Sequence, residues 1–247
     1  AHRQWLVGAY ERWRGEMDFT TGLLQSDVYN NSAWNHRFFV LSSGGVPLNG
    51  ALFQHEVVFA LNGLEDHREN ESAWSFLTGL LFKLPHSFEE CHGDKDGDAN
   101  GDGDGDGDGD GGLSVSVEEY LQALEVLKKF VAVLRNGGKS KRKLGPTTTS
   151  SSSSSSNVVV HCVSFHASMC FQLALRVLGG PVGQERECRF WGALRAEAKK
   201  ADPRVDPRAH LEQAAADWQA LQETDPVRKP AYLLKWKSAK LALDNMP

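Results

Sequence analysis

The stretch Asp27-Val28-Tyr29-Asn30-Asn31-Ser32-Ala33-Trp34-Asn35-His36-Arg37-Phe38-Phe39-Val40 decides how this chain folds. It reads as the end of one helix, a tight corner and the start of the next. Asn30, Asn31 and Ser32 are cap residues, each able to accept a hydrogen bond from a first-turn N–H. Behind them Ala33, Trp34, Arg37, Phe38 and Leu41 recur at helical spacing and form one bulky face. The stretch is echoed twice. His2-Arg3-Gln4-Trp5 aligns with His36-Arg37-Phe38-Phe39 at an offset of 34 residues, and Asn70-Glu71-Ser72-Ala73-Trp74 aligns with Asn30-Asn31-Ser32-Ala33-Trp34 at an offset of 40. A period near 34 residues marks stacked helix pairs. The longer second spacing is absorbed by the corner Ser43-Gly44-Gly45-Val46-Pro47-Leu48-Asn49-Gly50.

Working outward, further helical faces follow. Trp5, Leu6, Ala9, Tyr10 and Trp13 form one, and Met17, Thr20, Leu23, Leu24 and Val28 a second, with Gly15 near the break. Leu52, Val57, Val58, Ala60 and Leu61 form another, and Trp74 to Leu84 the next. Ser116-Val117-Glu118-Glu119 is a capping box that opens a helix ending at Gly137-Gly138. Helices are also expected over Asn157–Val177, Glu185–Lys200 and Pro207–Gln222, with a last one opened by Asp225-Pro226. Short corners and the lack of strand alternation predict an all-α array of antiparallel helix-pair repeats, an α-α superhelix or crescent solenoid. Each tryptophan-centred corner (Trp5, Trp34, Trp74) is expected to plug its neighbour.

Two low-complexity tracts interrupt the array and are expected to be disordered insertions. His92–Gly112 is almost entirely Gly and Asp, with high backbone entropy and crowded carboxylates. It contains Asp96-Gly97-Asp98-Ala99-Asn100-Gly101, the opening of a calcium loop, but Gly107 stands where a bidentate Glu is required. Lys139, Lys141, Arg142 and Lys143 lead into a Thr/Ser run reaching Ser156, read as a solvated linker. The division is therefore residues 1–84 as helical repeats, 85–112 as the Gly/Asp tract, 113–136 as a helix of the array, 137–157 as the linker and 158–247 as the C-terminal helices.

Composition narrows the function classes. The 247 residues can bury a real core. The formal charge of −5 comes from the aspartates of the Gly/Asp tract, so nothing points to nucleic acid or a membrane surface. Cys91, Cys162, Cys170 and Cys188 show no disulfide spacing, which fits reduced thiols and a cytoplasmic location. Val158–Leu175 lacks charge, but its His, Gln, Ser and Cys residues make it a buried helix rather than a span. Cys162, His166 and Cys170 share a helix face. They would spread over roughly 12 Å, too far for one zinc ion without other ligands, and core packing is expected.

The Asn-x-x-x-Trp-x-x-Arg pattern on helix pairs resembles the repeat of protein prenyltransferase alpha subunits. Its wording is closest to the alpha subunit shared by protein farnesyltransferase and type I protein geranylgeranyltransferase, and the likeness runs from Ala1 to about Phe82. The resemblance implies a subunit that works only with a beta subunit. That beta subunit carries zinc, with magnesium a further candidate, and the pair moves a farnesyl or geranylgeranyl group from its diphosphate to a cysteine thiol in a C-terminal CaaX sequence. The family's diphosphate-contacting residues precede the position matching Ala1, so an N-terminally truncated, by itself inactive chain is expected and no residue is named catalytic. The residues singled out have structural or interface roles: His2, Arg3, Trp5, Asn30, Trp34, Arg37, Asn70 and Trp74. Arg37 is expected to pair with a carboxylate or with helix carbonyls of a neighbouring repeat. Leu77 replaces it in the third copy. The alternatives are a Rab-type geranylgeranyltransferase alpha subunit and a helical-repeat scaffold with no enzymatic partner.

Overall fold

A computed structural model describes residues 2–43, 46, 48–85, 115–135, 154–179, 189–200 and 202–246, with side chains from 160 and 190 onward in the helices that begin at 154 and 189. The readings of the Gly/Asp tract, the calcium-loop opening, the Gly137-Gly138 stop, the basic Ser/Thr linker, Cys91 and Cys188 lie outside these residues.

The helices begin where capping chemistry is available. α1 is His2–Ala9 and α2 is Glu16–Ser26, entered from Gly15 at φ 82°. α3 is Asn31–Ser42, α4 Gly50–Glu65 and α5 Glu71–Phe82. Asn30, Asn49 and Asn70 cap the last three through their side-chain oxygens; a cap of this kind is worth about 1 kcal/mol. α6 is Val117–Arg135. Its capping box is complete: the Ser116 N–H and hydroxyl each donate to Glu119 Oε2 at 2.8 Å, and the Glu119 N–H donates to Ser116 Oγ at 3.2 Å. α7 is Ser154–Leu178, α8 Arg189–Lys199, α9 Pro207–Thr224 and α10 Lys229–Asp244, with a short 3-10 turn at Pro203–Val205.

Four local readings are corrected. α1 stops at Ala9, so Trp13 belongs to the corner, where Glu11 (φ 51°) and Gly15 both adopt left-handed backbone. Asn31 and Ser32 lie in and start α3, leaving Asn30 as its sole cap. α7 begins three residues before Asn157. Asp225 does not open the last helix. Its carboxylate accepts from the Tyr232 hydroxyl at 2.9 Å and Arg228 Nη1 at 3.1 Å. With that side chain engaged, the helix starts four residues later, with Pro230 in its first turn.

Packing is in two layers. α3 lies on α5, α5 on α7 and α7 on α9, while α4 lies on α6 behind them; α2–α3, α4–α5, α6–α7 and α9–α10 are the pairs that join the layers in sequence. One continuous apolar core runs from Leu24 to Ala239. Among the described residues there is no strand and no helix long and apolar enough to cross a membrane. This is the all-α, helix-pair solenoid that the repeated corners predict.

Candidate functional site: the seams between repeats

The corner after α2 is tight because the Asp27 carboxylate accepts from the Tyr29 N–H at 3.0 Å and the Asn30 N–H bonds Asp27 O at 3.1 Å. This turn presents the Val28 carbonyl to two donors. The Trp34 indole Nε1–H reaches it at 2.8 Å from within the same repeat, and Asn70 Nδ2 reaches it at 2.7 Å from the next. Asn70 is used at both ends of its amide, since its oxygen also caps α5 through the Ser72 and Ala73 N–H groups. Aspartate could cap but has no donor for Val28. The next corner repeats half of the device: Trp74 Nε1–H donates to the Arg68 carbonyl at 2.8 Å, again six residues back.

Both indoles are buried and packed against the following repeat. Trp34 lies 5.7 Å from Phe59 and 5.1 Å from Phe76, and Trp74 lies 4.5 Å from Phe165. Trp5 departs from the expected pattern. It is 60% exposed, stacked on His2 at 6.0 Å and edge-on to Tyr10 at 6.4 Å, and plugs no neighbour among the described residues.

Arg37 is fully buried. Its Nε and Nη2 grip Glu56 of α4 at 2.6 and 2.7 Å. Its Nη1 donates to Met17 O, Thr20 and Thr21 of α2. The guanidinium also sits 4.0 Å above the Phe59 ring. One side chain therefore ties three helices, and neither charge is left without hydrogen bonds. The same register position recurs. Trp34 on Phe76 corresponds to Trp74 on Phe165, so the position of Arg37 is occupied by Leu77 in α5 and by His166 in α7. His166 Nδ1 lies 2.8 Å from Asp217 of α9, which also accepts from Arg135 of α6 and from Gln213. A third buried carboxylate, Glu16, is shared by Arg3 at 2.7 Å and His36 at 2.6 Å. Arg3 also lies 3.6 Å over the Phe19 ring.

The electrostatics fit structural rather than catalytic duty. Burial pushes the Asp217 and Glu16 carboxyls up, but hydrogen bonds from His166 and Arg135, and from Arg3 and His36, outweigh it and hold both below the usual range. Cys170 Sγ lies 3.7 Å from His166 Nε2, so thiol, imidazole and carboxylate stand in the order of a nucleophilic relay. Burial pushes that thiol up to about 12 and Cys162 to about 11. Neither supplies thiolate near neutral pH, and a buried sulfur meets no substrate. No cluster of three or more His, Cys, Asp or Glu suited to a metal is found among the described residues.

Glu16, His36, Glu56, Arg135 and Asp217 were not identified from sequence. Glu56 carried a signal, a charge at helical spacing among Phe53, Val57, Ala60, Leu61 and Leu64 on the buried face of α4.

The geometry defines the class first: an α-solenoid whose pairs are joined by asparagine caps and tryptophan plugs. Residues 13–44 match the protein prenyltransferase alpha subunit repeat. Three curated relatives, each called protein farnesyltransferase/geranylgeranyltransferase type-1 subunit alpha, are similar to part of this chain. The Dictyostelium discoideum protein is 47% identical over 73 residues, covering 29% of this chain and 23% of the relative. The Pisum sativum protein is 41% and the Arabidopsis thaliana protein 39% identical, each over 71 residues, 28% of this chain and 21% of the relative. The matches thus span about a fifth of the length of these relatives. Over these residues the chain is similar to protein prenyltransferase alpha subunits.

Two outcomes follow from the buried polar groups. Arg37→Leu strands the Glu56 carboxylate and should destabilise the fold by about 3–5 kcal/mol. The Arg37→Leu/Glu56→Leu double variant should cost less than that single change, because Leu77 already fills the equivalent place in α5. Urea unfolding of the three proteins checks this; a double variant no better than Arg37→Leu contradicts it.

His210 is buried with Nε2 2.9 Å from Arg204 O, and burial together with nearby Lys128 lowers it from 6.5 to about 4. Between these values the unfolded chain binds a proton that the folded chain refuses. Its stabilising share is whole above pH 6.5 and fades as pH falls towards 4. Urea midpoints from pH 7 to 4 should fall less steeply in His210→Gln than in the parent, and parallel profiles contradict the assignment.

Proposed function

We propose that this chain is part of the alpha subunit of a heterodimeric CaaX protein prenyltransferase. The reading rests on the Asn–Trp seam together with the 39–47% identity to type-1 alpha subunits. In it the stacked helix pairs scaffold a cytoplasmic beta subunit, which carries zinc and most of the prenyl pocket. The heterodimer transfers farnesyl or geranylgeranyl from its diphosphate to a C-terminal cysteine thiol.

The chemistry makes two demands. The acceptor thiol must become thiolate, and the departing diphosphate must meet fixed cationic and hydrogen-bonding groups. The buried cations of the seams do not meet the second. Arg37 is spent on Glu56, and Arg135 on Asp217. Nor do Cys162 and Cys170 fit a zinc site: the Cys162 sulfur faces the Val131 carbonyl at 4.0 Å and Cys170 faces a histidine already engaged with Asp217. In this reading the zinc belongs to the beta subunit, and this chain contributes shape and support.

Co-expression of the full-length protein with a CaaX-type beta subunit should yield a heterodimer that prenylates a CaaX peptide. Failure to form that heterodimer overturns the proposal. Transfer only to Rab proteins with an escort replaces it with the Rab-type reading.

A further inference from the structure

The most exposed aliphatic side chains among the described residues lie in one segment: Val227 at 88%, Leu234 at 67% and Leu241 at 64%. They fall seven residues apart. That spacing is close to two helical turns, so Leu234 and Leu241 stand one above the other on α10, and Val227 continues the line from the turn before it. α10 packs on α9 through its other face, where Tyr232 and Ala239 are buried and Trp236 is half-buried. Each leucine lies two residues past a buried one, about 200° round the helix. The packing that holds α10 in place thus leaves this apolar line in water.

The line is bordered by cations. Lys229, Lys235, Lys237 and Lys240 are all exposed, and Asp244 is the one acid of α10. Lys235 and Lys240 lean over the Trp218 and Trp236 rings at 5.9 and 6.0 Å. Lys229 and Lys237 meet no carboxylate among the described residues. Such stems lie along apolar surface and carry their ammonium groups to its wet side. The chain's net charge of −5 conceals this local excess, because the aspartates of the Gly/Asp tract outweigh four lysines.

Charge and shape together decide between covers. A second copy of α10 laid on the line would set lysines against lysines. A partner helix in a knobs-into-holes seam needs bulky apolar side chains at two positions per heptad. Between these residues stand Ala231 and Ser238, and Pro230 occupies the first turn, so half of that seam is missing. An anionic bilayer needs neither symmetry nor a matching shape. It takes an apolar line into the acyl boundary and sets its headgroup charges beside the lysines. No helix among the described residues is long and apolar enough to cross the membrane, so the contact is one made in the surface plane.

We propose that α10 docks in the plane of an anionic lipid surface, with Val227, Leu234 and Leu241 entering the acyl boundary and Lys229, Lys235, Lys237 and Lys240 facing the headgroup charges. This inference stands on the exposed line and its lysines and does not depend on the prenyltransferase reading.

The test sediments the whole chain with vesicles of phosphatidylcholine alone and of phosphatidylcholine and phosphatidylserine in equal parts. Binding to the mixed vesicles should be at least about tenfold tighter, since each lysine near an anionic surface is worth roughly fivefold. Spin-labelled lipid in those vesicles should broaden the methyl signals of Leu234 and Leu241 and spare those of Leu64 and Leu80, which are buried. Leu234→Ser/Leu241→Ser changes only exposed positions, should keep its helical circular dichroism and should lose at least about tenfold in affinity. Lys235→Gln/Lys237→Gln should lose about 25-fold on mixed vesicles, the product of two lysines. The proposal is overturned if the parent does not sediment with mixed vesicles, if it binds both kinds equally, or if the folded leucine variant binds undiminished, which would mark attraction by charge alone. Self-association through the leucines without vesicle binding would assign the line to a second copy and overturn it too.

Discussion

A single backbone carbonyl, that of Val28, joins one repeat to the next. A carbonyl has two lone pairs, and here each meets a donor, one from the Trp34 indole and one from the Asn70 amide. Neither bond is worth more than about 1.5 kcal/mol net. Their consequence is geometric. The indole bond fixes the direction of the tryptophan, so that its apolar faces press on Phe59 and Phe76. The amide bond fixes the start of α5 relative to the end of α2. Once both are set, the following pair has one place to sit, and the array grows by repetition of the corner.

Buried charge adds a second layer of specification. The register position held by Arg37, Leu77 and His166 is polar in the first and third of these helices and apolar in the second. Where it is polar, it binds carboxylates contributed by other helices, Glu56 in one case and Asp217 in the other. Such pairs contribute little net stability over an apolar filling, but a mispaired neighbour leaves a charge stranded. The three versions of one position therefore help keep successive helices from exchanging places. The same reasoning separates structure from chemistry at Cys170, His166 and Asp217, whose order suggests a reactive relay but whose burial keeps the sulfur protonated.

The sequence revealed what depends on short spacing. Asn30 and Asn70 at caps, Trp34 and Trp74 each four residues on, and the Ser116–Glu119 box are visible because cap and helix face lie within a few residues of each other. The polar partners were hidden because they are far apart along the chain: Glu56 lies 19 residues from Arg37, and Asp217 lies 82 from Arg135. Trp5 looked like its counterparts, but burial is a property of what packs on a ring, and among the described residues its ring contacts are His2 and Tyr10. Asp225-Pro226 has the composition of a helix start, yet a nearby tyrosine hydroxyl and an arginine compete for the carboxylate and win.

Hydrogen exchange of the indole N–H groups, read residue by residue by NMR, tests the central claim most directly. If the Trp34 and Trp74 indoles hold the corners through Val28 O and Arg68 O, their protons exchange only as the array opens, at rates near those of the core amides. The Trp5 indole, exposed in the same molecule, exchanges rapidly. A Trp34 indole proton that exchanges as fast as that of Trp5 would contradict the account.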